Sequence, residues 1–551
     1  MAGRTWSTIL LLTVVLFASP VLADVALWVE SAGVMIMPDR PVGSVKEIRL
    51  SGCRNEFVAA QLGLWADKAT DETLSFDWTA LRGPGGRKEI AKGDVTLFRA
   101  ADIDVDHGQK VDPAKDKARA RALGKYPDAL VPLVAADGTN VANAIKPEEG
   151  KTLSFWVDIF IPAYATAGEY TGKIALKSGG RELRSIPVKL QVFNVEIPAD
   201  STLPSLFNLR SHPHAKTNIE AYAAEVLRHR VSPTDCHYIE RVRARGFGWE
   251  FLDKRNPDGR GYVNVYVGDT SLNDNDRQEL LSLLKEVAEH LKGRNLFDRT
   301  YMYMKDEPNA EEAKGIATVV ETILKERPEW KGKILDTTSP RASLDKVLDI
   351  YSCALKCYGP WYAQPTNTYP GRPEWDKRRA DGQKLWFYVS NAQGCPYPTF
   401  DVHTINLAWE PRVFGWAYWY EKAEGHLYWD LMFQPQWTLH PKFPPGDGQL
   451  IYPGDFTLPG APDWVLVKDL KGPVCSRRLK MQRQGLQEWE LLKMAEHKVG
   501  REKVQAIVDK VYTCMGQRSW APDAYNPNKP MWSYDEGEWD KARQAVIDLL
   551  R

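Results

Sequence analysis

The sequence predicts a multidomain α/β plus all-β protein: an N-terminal antiparallel β-sandwich, then a (β/α)8 TIM-like barrel, then a C-terminal helical cap. Three observations predict it. Short strand-like runs separated by Gly and Pro turns fill the chain up to about Pro198. From Ser205 to about Trp437, strand-like and helix-like patterns alternate. Beyond Ser476 the apolar residues recur at helical spacing. At 551 residues the chain is too long for one ordinary domain.

Residues 1–23 read as a signal peptide. Arg4 gives the positive start, Ile9 to Phe17 the apolar run, and Val21-Leu-Ala23 a small-residue cleavage site. The expectation is an exported protein, periplasmic or secreted, with its mature chain beginning near Asp24. No other stretch approaches the ~20 apolar residues of a membrane span. Acidic and basic residues balance at 72 each, which argues against a nucleic-acid or anionic-membrane partner. The cysteine count is seven, so at least one thiol stays unpaired, and no CxxC or Cys/His spacing suggests a metal.

The sandwich is assigned to residues 24–200. Glu56 to Leu64, Leu153 to Ile161, Gly172 to Leu176 and Ile186 to Phe193 are β-branched or alternating runs, with turns at Pro84-Gly-Gly86, Gly168 and Gly179-Gly180. The charged stretch from His107 to Lys125 reads as an exposed loop, and Ile197 to Pro204 as a proline-bounded connection.

The barrel is assigned to residues 201–475. Expected strands are Leu206–Arg210, Gly261–Val267, the run ending at Asp306, Lys333–Thr337, Ile350–Cys357, Lys384–Val389 and Val413–Trp419. Expected helices include Ile219–Arg228 and Asp276–Leu291. A doubly wound open sheet is the alternative, but no GxGxxG or phosphate loop follows a strand. The C-terminal segment, 476–551, carries helices at Lys480–Ala495 and Trp539–Leu550.

The chemistry is concentrated in Thr300-Tyr-Met-Tyr-Met-Lys-Asp-Glu-Pro308. Tyr301 to Met304 suit a buried strand, Pro308 ends it, and Asn309 with Glu312 forms a capping-box pattern for the next helix. Asp306 and Glu307 therefore stand at the carboxyl end of a barrel strand, where such folds do their chemistry. Neighbours on a regular strand point to opposite faces, so both acids reach one ligand only if the backbone bends between them.

HExxH, P-loop and GxSxG patterns are missing from the sequence. His212-Pro-His214 follows the first barrel strand, and a substrate contact there is favoured over a metal. Aromatic residues make up 11% of the chain, with 20 tryptophans, which serve either as core packing or as flat platforms for sugar rings. Trp361, Tyr362, Trp416, Trp419, Tyr420 and Trp429 fall near later strand ends or in loops. The candidate substrate-binding residues are Arg210, His212, Tyr358, Trp361, Tyr388, Asn391, Trp416 and Trp419.

Four motifs in chain order carry a family resemblance: Tyr303-Met-Lys-Asp-Glu-Pro308, Gly415-Trp-Ala-Tyr-Trp419, Gly446-Asp-Gly-Gln-Leu-Ile-Tyr-Pro-Gly454 and Ser476-Arg-Arg-Leu-Lys-Met-Gln-Arg-Gln-Gly-Leu-Gln-Glu-Trp-Glu490. Together they resemble the catalytic domain of glycoside hydrolase family 123. Trp156 to Pro162 and Gly168 to Gly172 resemble the β-sandwich that precedes it in that family. The resemblance implies a β-N-acetylgalactosaminidase-like retaining enzyme with a glycan substrate and neither metal nor cofactor. In that chemistry the 2-acetamido oxygen of the sugar is the nucleophile. Glu307 would match the general acid/base and Asp306 the residue that orients the acetamido nitrogen. Two rival readings are a protein nucleophile such as Glu410 or Glu421, and a carbohydrate-binding protein that cuts no bond.

Overall fold

The computed structural model describes residues 24–69, 72–86, 88–107, 123–209, 213–234, 250–355, 372–390, 398–402, 408–512 and 532–551. The signal-peptide assignment lies outside them, as do residues 108–122 of the charged stretch expected to be a loop. Gly124 and Lys125, the end of that stretch, already begin a strand.

The N-terminal unit is a β-sandwich. One sheet runs in the order Val25–Ser31, Glu56–Ala66, Thr152–Ile161, Val95–Val105, Gly124–Pro132, Val474–Ser476, Ile451–Tyr452, all antiparallel. The facing sheet contains Ile48–Arg54, Arg181–Glu196, Gly168–Ser178 and shorter strands, and its Ile48–Arg54 edge runs parallel to its neighbour. Thr152–Ile161 shows why the sheet is covered on both sides. Phe155, Val157 and Ile159 point into the sandwich core, while Trp156 packs with the core shared by the barrel and the C-terminal helices.

The last two strands of that sheet correct the expected organisation. Val474–Ser476, at the end of 201–475, pairs with Gly124–Pro132 of the sandwich, and Ile451–Tyr452, within that range, pairs with Val474–Ser476. Sequence adjacency to the barrel concealed them, because two- and three-residue strands have no readable period.

The second unit is a nearly closed parallel barrel. Its strands, one to eight, are Ser205–Asn208, Pro233–Thr234, Val263–Tyr266, Thr300–Asp306, Ile334–Thr337, Ile350–Ala354, Lys384–Val389 and His426–Tyr428. They pair in the order two, one, eight, seven, six, five, four, three, so that among the described residues strands two and three are not paired with each other. Turns rather than a helix connect strands five and six, so the alternation departs from a full (β/α)8. Leu206, Tyr301, Tyr303, Leu335, Ile350, Trp386 and Leu427 fill the interior.

Val413–Trp419, expected as a strand, belongs to a helix, Val413–Tyr420. The run is apolar on every side because it is buried on every side, so no period separates helix from strand there. The closing strand is instead His426–Tyr428, only three residues long.

The helix Arg477–Val499, expected to cap the barrel, is wedged between the sandwich sheet and the barrel helix Val413–Tyr420. This position explains its buried charges. Lys480 and Arg483 both pair with Asp158 of the sandwich, at 2.7 and 2.8 Å, and Glu488 pairs with Arg412 of the barrel at 2.8 Å. Cys53, Cys353 and Cys475 are buried. Among the described residues no helix is long and apolar enough to cross a membrane.

Candidate active site

Strand four ends as its sequence suggests. The Asn309 side chain accepts the N–H groups of Glu311 and Glu312 at 2.9 and 3.0 Å, and Glu312 accepts that of Asn309 at 2.8 Å. This capping box fixes the chain immediately after the acidic pair.

Two distortions bring the pair to one face. Tyr301 and Tyr303 point into the barrel, so regular alternation would send Asp306 outward. The register shifts by one residue, however: Tyr303 lies opposite Leu335, but Asp306 lies opposite Thr337. The extra residue turns Asp306 to the side of Tyr303, as bulges near active sites commonly do. Glu307 then adopts a left-handed backbone, φ 44°, an unfavourable conformation for a residue with a side chain.

Hydroxyls on this strand and on its neighbour serve the pair. Tyr303 Oη and Thr337 Oγ1 donate to Oδ1 of Asp306 at 2.7 and 2.8 Å. Among the described residues, nothing donates to Oδ2. The N–H of Glu307 is shared between Oγ1 and the carbonyl of Thr337, at 3.1 Å each. Tyr388, at the end of strand seven, donates its hydroxyl to Oε1 of Glu307 at 2.6 Å. Burial, then the Asp306 carboxylate, pushes the Tyr303 phenol well above its ordinary range, so it stays a donor. Both acids are exposed at the barrel mouth.

Of the candidate substrate-binding residues, Tyr388 is thus placed against Glu307. Arg210, His212, Tyr358, Trp361 and Asn391 lie outside the described residues. Trp416 and Trp419 are corrections. They sit on the buried helix Val413–Tyr420 and donate their indole N–H groups to Glu488 and Glu496, at 2.7 and 3.0 Å. Their flat faces are covered by protein, Trp416 by Trp539 and Trp419 by Arg501. Glu410 and Glu421 are likewise buried, at 1% and 0% exposure, so neither meets a substrate as a nucleophile would. Tyr303 and Thr337 belong to the site although no pattern in the sequence marks them as site residues. The place of Tyr303 three residues before Asp306 becomes a signal only with the register shift.

Beyond strand eight, half-buried Trp429 donates to Oδ2 of Asp447 at 3.0 Å and packs against Phe433 and Phe443, with ring centroids 5.1 and 5.2 Å away. His214 is occupied by Tyr222 at 2.7 Å and Asp469 at 2.9 Å. Among the described residues, Glu225, His229 and Cys475 form the one cluster with metal-ligand chemistry. His229 Nδ1 donates to the Glu225 carbonyl at 2.8 Å, and burial with the nearby cations Arg483 and Lys480 pushes the imidazole down to about 3.

The model of the glycoside hydrolase 123 catalytic domain matches residues 258–495, and that of the glycoside hydrolase 123 N-terminal domain matches residues 37–178. The chain belongs to glycoside hydrolase family 123. It is a glycosidase. Among solved structures, a family 123 glycoside hydrolase from Clostridium perfringens, described for glycolipid glycan hydrolysis, is similar over 95% of this chain and 98% of its own. The TM-score is 0.64 and the identity 14%. A family 39 glycoside hydrolase from Bacteroides cellulosilyticus WH2 matches 72% of this chain and 78% of its own, at 12% identity and a TM-score of 0.33. No protein with a curated description matches. The family 123 catalytic match contains Asp306, Glu307, Thr337 and Tyr388.

Proposed function

We propose that this family 123 hydrolase is an exported, retaining, exo-acting enzyme that removes terminal N-acetylhexosamine, with N-acetylgalactosamine as the first choice, by substrate-assisted catalysis. The observation that carries this reading is the adjacency of Asp306 and Glu307, turned to one face by the register shift and the positive φ. Retaining enzymes with a protein nucleophile hold two carboxyls about 5 Å apart, flanking the scissile bond. Consecutive residues at one strand end suit a division of labour on one side of the sugar.

Glu307 in its acid form donates a proton to the glycosidic oxygen while the acetamido carbonyl oxygen bonds to the anomeric carbon. The leaving alcohol departs with that proton, and a bicyclic oxazolinium-type intermediate remains. Glu307 then takes a proton from water as the water oxygen attacks the anomeric carbon and the ring reopens. Asp306, held at Oδ1 by Tyr303 and Thr337, presents Oδ2 to the acetamido N–H. Positive charge grows on that nitrogen during attack, so the contact strengthens in the transition state. Tyr388 holds Oε1 of Glu307 and leaves Oε2 for the leaving oxygen.

The test uses protein recovered from the periplasm or medium, whose first residue is expected to be Asp24. Wild type should hydrolyse aryl β-N-acetylgalactosaminide and be blocked by a thiazoline that mimics the intermediate. Glu307→Gln should lose roughly 10²–10⁴-fold on substrates whose leaving group needs protonation. Asp306→Asn should lose a comparable factor. Wild-type rates in both variants would overturn the mechanism.

A further inference from the structure

Two of the motifs in this chain, Gly446–Gly454 and Ser476–Glu490, hold neither of the paired acids, yet one side chain joins them. Arg478 is 2% exposed, and each of its five N–H groups has an acceptor. Nε and Nη2 donate to the two oxygens of Asp128 in the sandwich, at 3.0 and 2.8 Å. Nη1 donates to the carbonyls of Phe400 and Gly446 at 2.9 and 2.6 Å, and Nη2 also donates to that of Gln449. Asp128 accepts a further hydrogen bond from Tyr452, at 2.7 Å.

The loop held in this way carries Asp447 between two glycines with left-handed backbones, Gly446 at φ 97° and Gly448 at φ 71°. A Cβ on Gly446 would lie 2.7 Å from Nη1 of Arg478, and one on Gly448 would lie 2.4 Å from the indole ring of Trp429. The glycines therefore let the loop close on Arg478 on one side and on Trp429 on the other. Asp447 completes the link by accepting Tyr428 Oη at Oδ1 and Trp429 Nε1 at Oδ2, both at 3.0 Å. Trp429 immediately follows strand eight, so it stands at the carboxyl end of the barrel, the end at which Glu307 follows strand four. The sandwich reaches the same rim a second time, where His107 Nε2 donates to the Phe443 carbonyl at 3.1 Å.

We infer that Asp128 and Arg478 are positioning residues through which the β-sandwich holds Trp429 as a sugar-ring platform at the barrel mouth. Five donors on one buried guanidinium fix the loop in position, and a lysine could not reproduce them. The platform rests on the glycosidase site described above; the strut beneath it rests on the hydrogen bonds alone.

The test is a double-mutant cycle between Arg478→Lys and Trp429→Phe, read by KM, kcat and the resonance of Trp429 in fluorotryptophan-labelled full-length protein. Arg478→Lys should shift that resonance, raise KM about tenfold and leave kcat within about threefold. The double variant should be no worse than Trp429→Phe alone. Should Arg478→Lys fail to fold, Asp447→Asn leaves the arginine and its partner intact and should reproduce the KM effect. An unmoved resonance, or a moved one with wild-type KM, or additive losses, would overturn the inference. A wild type inactive on N-acetylhexosaminides overturns the substrate assignment instead, and the cycle is then read on whichever glycoside it cleaves.

Discussion

The pair of acids depends on a few neighbours whose importance is invisible one at a time. Asp306 and Glu307 are legible in the sequence because a buried strand, a proline and a capping box bracket them. The turn that gives both acids one face is not legible, since a one-residue register shift leaves no compositional trace. Tyr388 was named, and the structure sets it against Glu307; five other candidates lie outside the described residues. A second residue-scale consequence concerns His426. It is fully buried between Phe207 and Tyr418, with ring centroids 5.0 and 5.1 Å away, and neither ring nitrogen has a partner among the described residues. Burial pushes its imidazole down to about 3. The unfolded chain takes up a proton near pH 6.5 and the folded chain does not, so stability is full above that value and falls as pH drops toward 3. The slope is at most about 1.4 kcal/mol per pH unit for this group. His426→Phe should flatten the dependence in denaturant titrations between pH 6 and 4, with His229 keeping part of it. An unchanged slope would mean that His426 is protonated in the fold.

At the scale of elements, two helices meet through a pair of glycines. A Cβ on Gly415 would lie 1.9 Å from the Gly485 carbonyl, and one on Gly485 would lie 2.2 Å from the Arg412 carbonyl. Val413–Tyr420 and Arg477–Val499 thus touch backbone to backbone, which brings Arg412 and Trp416 onto Glu488. Gly485→Ala should lower stability by about 1–3 kcal/mol, the usual cost of overpacking, when measured by chemical denaturation. An unaltered midpoint would show that the helices separate freely. The same contact explains what the sequence concealed. Gly415-Trp-Ala-Tyr-Trp419 reads as a buried strand because its surroundings are apolar throughout, and only a partner far along the chain makes it a helix. The helix Ile219–Arg228, with one solvated face, was readable, and it and the strand Lys384–Val389 both have the expected bounds.

At the scale of the whole molecule, sandwich and barrel are one construction. The sandwich lends Asp128 and Asp158 to three buried cations of the C-terminal helix and takes back two strands. Removing one partner of a buried ion pair costs about 3–5 kcal/mol. Residues 201–551 expressed alone should therefore be insoluble or lack cooperative unfolding by circular dichroism, and addition of residues 24–200 as a second chain should restore both. A soluble, active barrel on its own would refute this dependence.

The borrowed strands also impose a schedule on synthesis. Gly124–Pro132 leaves the ribosome with one edge unpaired, and its partner Val474–Ser476 is made roughly 340 residues later. At about 5–20 residues per second, that edge waits on the order of tens of seconds, open to pairing with any other strand. The first domain to be made is thus among the last to be finished, and the interval is when this chain is most exposed to misassembly.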